Sequence, residues 1–185
     1  MPTTKIMVIR HAEKPNGEPG VMPDGSENPV ALTATGWKRA EALVGLFAPA
    51  DGQFTDPHLA TPQTIFASNA SGSDESLRPQ QTITPLAKAL KLAINTDYTK
   101  GGEGDLVEAA IKVGGVVLIA WQHEDIPVIA GDVLGGDDCV PQHWPGHRFD
   151  LVWVLDRPNV GDKWNFNQVP QLLLPGDADK PIAVK

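Results

Sequence analysis

One cysteine, Cys139, is all the thiol chemistry this chain carries. A lone cysteine excludes an intrachain disulfide and the thiolate-rich metal sites that draw on two to four cysteines. Positive charge is also scarce: 15 lysines and arginines face 23 aspartates and glutamates, for a formal charge of −8. A nucleic-acid binder shows the opposite balance on at least one face, so that class is set aside. The five tryptophans are then expected in the core or in a pocket wall, not on a base-stacking platform. No apolar run approaches membrane-spanning length. The opening MPTTKIMVIR lacks the apolar stretch of a secretory signal. These absences give the expectation of a cytoplasmic protein with no membrane and no nucleic-acid partner. They do not exclude a small anionic substrate, because a few focused cations dominate a pocket locally.

What is present suits one domain. The 185 residues are 41% hydrophobic and 21% charged, and no repeat, low-complexity tract or linker divides residues 1–185. Ile6 to Ile9 form a short branched apolar run, the pattern of a strand buried on both faces. Thr64–Ser68 and Gly115–Trp121 repeat it, the latter most strongly. Thr33 or Thr35 is placed to cap a helix in which Trp37, Ala40, Leu43, Val44 and Phe47 recur at helical spacing. Further helices are expected from Arg78, with Pro79 in the first turn, around Leu106–Val113, and over Ile126–Leu134. Leu92–Asn95 reads as an edge strand. Phe149–Leu155 and Asp162–Val169 read as a hairpin. Asn69–Leu77 reads as a flexible loop, Arg39 as a solvated helix face, and the tail from Pro175 as loose. The order predicts a three-layer α/β/α sandwich with a mostly parallel central sheet.

Chemistry-bearing residues stand where the strands stop: Arg10-His11 after the first, Ser68 after the second, His123-Glu124 after the strongest. Arg78 opens the helix that follows Ser68. In a parallel sheet these ends share one edge, where α/β folds hold ligands. Two arginines and two histidines there suit a dianion such as a phosphoryl group, since the guanidinium fork bonds two oxygens at once. A neutral imidazole can attack phosphorus through one nitrogen while the other donates a hydrogen bond to a backbone carbonyl. A neighbouring carboxyl can protonate the leaving oxygen and later activate water.

Four pieces then fall in order: Arg10-His11; Leu32-Thr33-Ala34-Thr35-Gly36 leading into Arg39-Ala40; Ser68 with Arg78-x-x-Gln81-Thr82; and Val117-Leu118-Ile119 running to His123. Together they resemble the histidine phosphatase superfamily, with its phosphoglycerate-mutase-like fold, over Lys5 to about Ala130. The resemblance implies that His11 is the nucleophile that becomes phosphohistidine. It implies that Arg10 and Arg78 bind phosphoryl oxygens, and that His123 is the second pocket histidine. The acid comes either from Glu124, directly after that histidine, or from a loop nearer mid-chain, where Glu103 and Asp105 stand. Ala12 replaces the usual glycine, and the stretch from Ser68 to Arg78 is longer than the common form. There is no obvious room for the cap insertion of the mutases, which favours hydrolysis. The implied activity is metal-independent, cofactor-free hydrolysis of a phosphomonoester, on a small phosphorylated substrate or a phosphoprotein. The alternatives are a non-catalytic phosphate-binding or regulatory module, a mutase-like phosphotransferase, and a metal-dependent hydrolase.

Other motifs carry less. His143 and His147 are four apart, but Pro145 and Gly146 between them argue for a loop and not for a zinc-binding helix; His147 or Trp144 is placed to border the pocket. His11-Ala12-Glu13 matches half of a zinc-deaminase signature whose cysteines are missing. The glycines at 101, 102 and 104 lack the Gly-Lys-Ser/Thr of a phosphate-binding loop.

Overall fold

The computed structural model describes residues 4–70, 75–136 and 138–184. Strand β1 (Thr4–Arg10) is the hub. It is followed by α1 (Ala34–Phe47), β2 (Thr64–Ala67), α2 (Arg78–Leu90), β3 (Ile94–Asn95), α3 (Glu103–Val113), β4 (Val116–Trp121), α4 (Ile126–Leu134), β5 (Leu151–Arg157) and β6 (Asn165–Pro170). The strands form one sheet in the order β3-β2-β4-β1-β5-β6. The first four run parallel, and β5 and β6 close the sheet as an antiparallel hairpin.

Strand alternation sets the layers. Met7 and Ile9 face α1 and α2, packing with Leu43, Phe47, Ile83 and Leu86. Ile6 and Val8 face the other way, toward Leu106 of α3, Ile129 of α4 and Trp153. All four β1 residues are fully buried, each contributing about 1.5–3 kcal/mol of apolar burial. Helices on both faces of a largely parallel sheet make the three-layer α/β/α sandwich expected. The edge strand is shorter than expected, because only Ile94 and Asn95 pair with β2.

Thr33 caps α1 through its hydroxyl, which accepts the Gly36 N–H at 3.1 Å. The start of α2 coincides with Arg78, with Pro79 in the first turn, where a missing N–H is tolerated. Part of the expected Asn69–Leu77 loop, residues 71–74, lies outside the described residues. Its end is tied down, with Ser76 buried and the Leu77 N–H bonded to Val30 O.

Two expectations are corrected. Arg39 is not on a solvated face: it is 3% exposed and spans Glu13, Gln171 and Asp177. The tail from Pro175 is not loose. Asp177 pairs with Arg39, the Ala178 N–H bonds Asp150, Lys180 O accepts from Arg148, and Ile182 exchanges two hydrogen bonds with Gln168. Backbone polar groups of an irregular segment need such partners to remain ordered against the core.

Candidate active site

Register decides where the site forms. Arg10 is level with Trp121, and Ala67 with Ala120. The next residues, His11, Ser68 and Gln122-His123, therefore leave the sheet at one edge, beside the N-terminal end of α2. A cavity of about 280 Å³ opens there, lined by His11, Lys14, Ser76, Arg78, Lys100, Gln122, His123 and Glu124.

His11 is 4% exposed. Its backbone N–H continues the β1–β4 ladder to Trp121 O at 3.0 Å. Its Nδ1 stands 2.7 Å from Ala12 O. A carbonyl only accepts, so Nδ1 carries the proton and Nε2 keeps its lone pair. Burial, then the adjacent Arg10 charge, hold this imidazole well below its usual pKa, with Arg78 and His123 acting in the same direction. The ring is thus neutral and tautomerically fixed, the state a nitrogen nucleophile needs.

Arg10 does not line the cavity surface. It lies beneath it, 1% exposed, with Nη1 donating to Gly146 O at 2.8 Å and Arg148 O at 2.9 Å. Its guanidinium carbon sits 3.8 Å over the Phe149 ring. Nε and Nη2 have no hydrogen-bond partner among the described residues. Burial lowers its pKa to about 10, partly offset by Glu124, so it stays charged at neutral pH. A buried, charged fork with two unspent donors leaves an unmet demand for acceptor oxygens.

Arg78 reaches the cavity from the first residue of α2. The Thr82 hydroxyl, one turn on, donates to Arg78 O at 2.7 Å and accepts the Ala12 N–H at 2.8 Å. It couples the helix bearing the arginine to the loop bearing the histidine. Across the cavity, the Gln122 amide donates to Ser68 Oγ at 2.8 Å, fixing the β2 and β4 ends together.

His123 is mostly buried, and its pKa falls to about 4, first through burial, then through Arg10, with Glu124 opposing. Its Nδ1 lies 3.1 Å from Glu124 Oε2 without the alignment of a hydrogen bond. Glu124 is half-exposed. Although burial opposes it, its carboxyl is held below the usual range by backbone hydrogen bonding and by the His123, Lys100 and Arg10 charges.

Five sequence-predicted residues therefore converge: His11, Arg78, His123 and Glu124 around the cavity, with Arg10 under it. Glu103 does not join them. Its carboxylate accepts the Trp121 indole N–H at 2.9 Å and the Gly101 N–H at 3.1 Å. Asp105 is on the exposed side of α3. Trp144 is not at the pocket border but 1% exposed in the core, its ring tilted against Trp153 with centroids 5.1 Å apart. His147 lines a neighbouring cavity with Phe149. Lys14 and Lys100 were not anticipated. Lys14, three residues past His11, was open to inference from proximity; nothing local in the sequence marks Lys100, which reaches the site only through packing of the β3–α3 connection.

No family model matches the chain, and no curated protein sequence matches it. Solved structures do. The protein histidine phosphatase SixA complexed with tungstate superimposes with a TM-score of 0.54 at 13% identity, covering 90% of this chain and 97% of the other. The mycobacterial glucosyl-3-phosphoglycerate phosphatase in complex with VO3 gives 0.52 at 12% identity, covering 89% and 97%. A structure from Agrobacterium tumefaciens assigned as a phosphohistidine phosphatase SixA gives 0.51 at 18% identity, covering 90% and 97%. These likenesses show the fold: the chain adopts the α/β sandwich that these phosphatase structures share. Among the described residues no helix is long and apolar enough to cross a membrane.

Proposed function

We propose that this chain hydrolyses phosphomonoesters through a phosphohistidine intermediate on His11, in a cytoplasmic setting and without a metal. The observation that carries this reading is the buried, neutral His11 ring. Its Nδ1–H is spent on Ala12 O, and it sits beside an arginine with two unspent buried donors. In the first step Nε2 attacks phosphorus as the bond to the leaving oxygen breaks. Arg10, Arg78 and His123 hold the equatorial oxygens. The leaving oxygen takes its proton from the Glu124 carboxyl, whose proton affinity rises when a phosphoryl dianion lies beside it. In the second step water gives a proton to Glu124 and attacks phosphorus, the P–N bond breaks, and inorganic phosphate leaves with His11 neutral again.

The test is turnover of p-nitrophenyl phosphate by the wild-type chain and by His11→Ala. The expected result is activity unaffected by chelator, with a loss of at least about a thousandfold in the variant. Retained activity in His11→Ala rejects the mechanism. The depressed Glu124 carboxyl favours one second reading, phosphate binding without turnover. Tight vanadate binding with no hydrolysis of any ester would select it.

A further inference from the structure

We infer that the substrates of this site carry the phosphoryl group as their only anion. The class is phosphomonoesters of neutral hydroxyl-bearing or cationic alcohols, with leaving groups bearing a carboxylate or a second phosphate selected against. This rests on the phosphatase reading and adds which esters that site accepts.

The charges around the His11 cavity suit one dianion. Lys14, Arg78 and Lys100 line it, and Arg10 lies beneath. Against these four cations stand two carboxylates, Glu124 in the wall and Asp125, 3.6 Å from Lys100 Nζ. Before substrate binds, with Glu124 ionised, two positive charges remain, which one phosphoryl dianion neutralises. Neither histidine adds to them, since both imidazoles are neutral at physiological pH.

Two flanking cavities adjoin the site and can take the leaving group. One, of about 470 Å³, shares Lys14 with the phosphoryl cavity. Its Phe149 ring lies 6.2 Å from the His11 ring, and a Cβ on its Gly146 would stand 3.7 Å from His123 Nε2. Its wall holds Glu13 and Glu18. Arg39 is shared between Glu13 and Asp177, so that trio keeps a net negative charge. Glu18 is fixed by accepting the Thr35 N–H at 3.1 Å. Among the described residues Lys14 is the one lysine or arginine lining this cavity, and it also lines the phosphoryl cavity; Lys38 acts on Glu18 from outside the wall. The other cavity, of about 500 Å³, shares Glu124 and adds Asp132, with no lysine or arginine in its wall among the described residues. Either route takes the leaving group past fixed carboxylates, in a chain whose formal charge is −8. Like charges juxtaposed in a concave site select strongly. A hydroxyl meets the same carboxylates as acceptors.

Glycerol 3-phosphate and 3-phosphoglycerate test this, since they differ by a hydroxymethyl group against a carboxylate. With the full chain at low ionic strength, kcat/KM is expected to favour glycerol 3-phosphate by about tenfold or more. The ratio should fall toward one as salt is raised. Asp132→Lys, at an exposed position, or Glu18→Gln should narrow it severalfold, according to which flank the leaving group occupies. A ratio of one or less at low salt overturns the inference, as does a ratio that neither substitution moves. If no ester is turned over, p-nitrophenyl phosphate included, the phosphatase reading has failed. Calorimetric binding of the same two compounds then decides the charge selection, and equal or tighter binding of 3-phosphoglycerate overturns it.

Discussion

At the scale of single residues, the chemistry depends on keeping two imidazoles uncharged beside arginines. His11 is depressed by burial first and by Arg10 second, with the Ala12 hydrogen bond opposing and not prevailing. A ring titration followed by NMR should therefore show His11 still neutral well below pH 6.5. Arg10→Gln should move its midpoint up toward that ordinary value; a wild-type midpoint at 6.5 contradicts the electrostatics described. His123 supplies a stability test. Its native pKa of about 4 lies below the 6.5 of an unperturbed histidine, so between those values the unfolded chain takes up a proton that the native chain refuses. Stability is then unaffected by this group above pH 6.5 and declines as pH falls through the window. Melting temperature should drop on acidification from 7 to 5, and less steeply in His123→Asn. Thr82 gives a third case. Thr82→Val keeps the shape but strands the Ala12 N–H, which now bonds Oγ1 at 2.8 Å in a buried setting. A loss of about 1–3 kcal/mol in urea unfolding is expected, together with lower kcat, because the His11 loop loses its tie to α2.

At the scale of elements, the C-terminal segment acts as a brace for the end of β1. Arg39 holds Glu13, two residues past His11, and Asp177 in one trio that is buried at the arginine and partly buried at the carboxylates. A second chain runs from Arg10 through Arg148 O to the Arg148 guanidinium, which bonds Asp150 and Lys180 O. Removing one partner of a buried ion pair leaves a charge unpaired, so Arg39→Ala should cost about 3 kcal/mol or more, read as a lower urea midpoint with unchanged slope. Asp177→Asn, which keeps the shape, should be milder. The difference in legibility follows from range. The strand ends at Arg10, Ser68 and His123 were readable because a buried apolar run stopping at a polar residue is a local pattern. Thr33 and Pro79 were readable because capping and first-turn proline are local too. The Arg39 trio was not, because its contacts to Gln171 and Asp177 span 132 and 138 residues. A basic residue in a helix has the same local appearance whether or not a distant carboxylate will cover it. The tail was misread for the same reason: its composition resembles a loose terminus, and its order comes from partners elsewhere in the chain.

At the scale of the whole molecule, a chain with a formal charge of −8 gathers Arg10, Lys14, Arg78 and Lys100 at the carboxyl edge of one sheet. That concentration is possible because β1, β2 and β4 run parallel and in register, so one edge collects all three strand ends. Self-repulsion among four cations opposes folding, and an oxyanion bound among them relieves it. Such a ligand stabilises the native state by mass action, about 2.7 kcal/mol at a hundred times its dissociation constant. Vanadate should accordingly raise the melting temperature of the wild-type chain in a concentration-dependent way. The rise should be larger at low ionic strength, where the cations are least screened. Arg78→Ala removes a cation at the cavity wall while leaving the sheet and its core contacts in place, so it should sharply reduce the vanadate shift while the chain still melts cooperatively. A shift of equal size in wild type, Arg78→Ala and Arg10→Gln would place the oxyanion elsewhere on the surface and detach the cavity at the β1 end from phosphate chemistry.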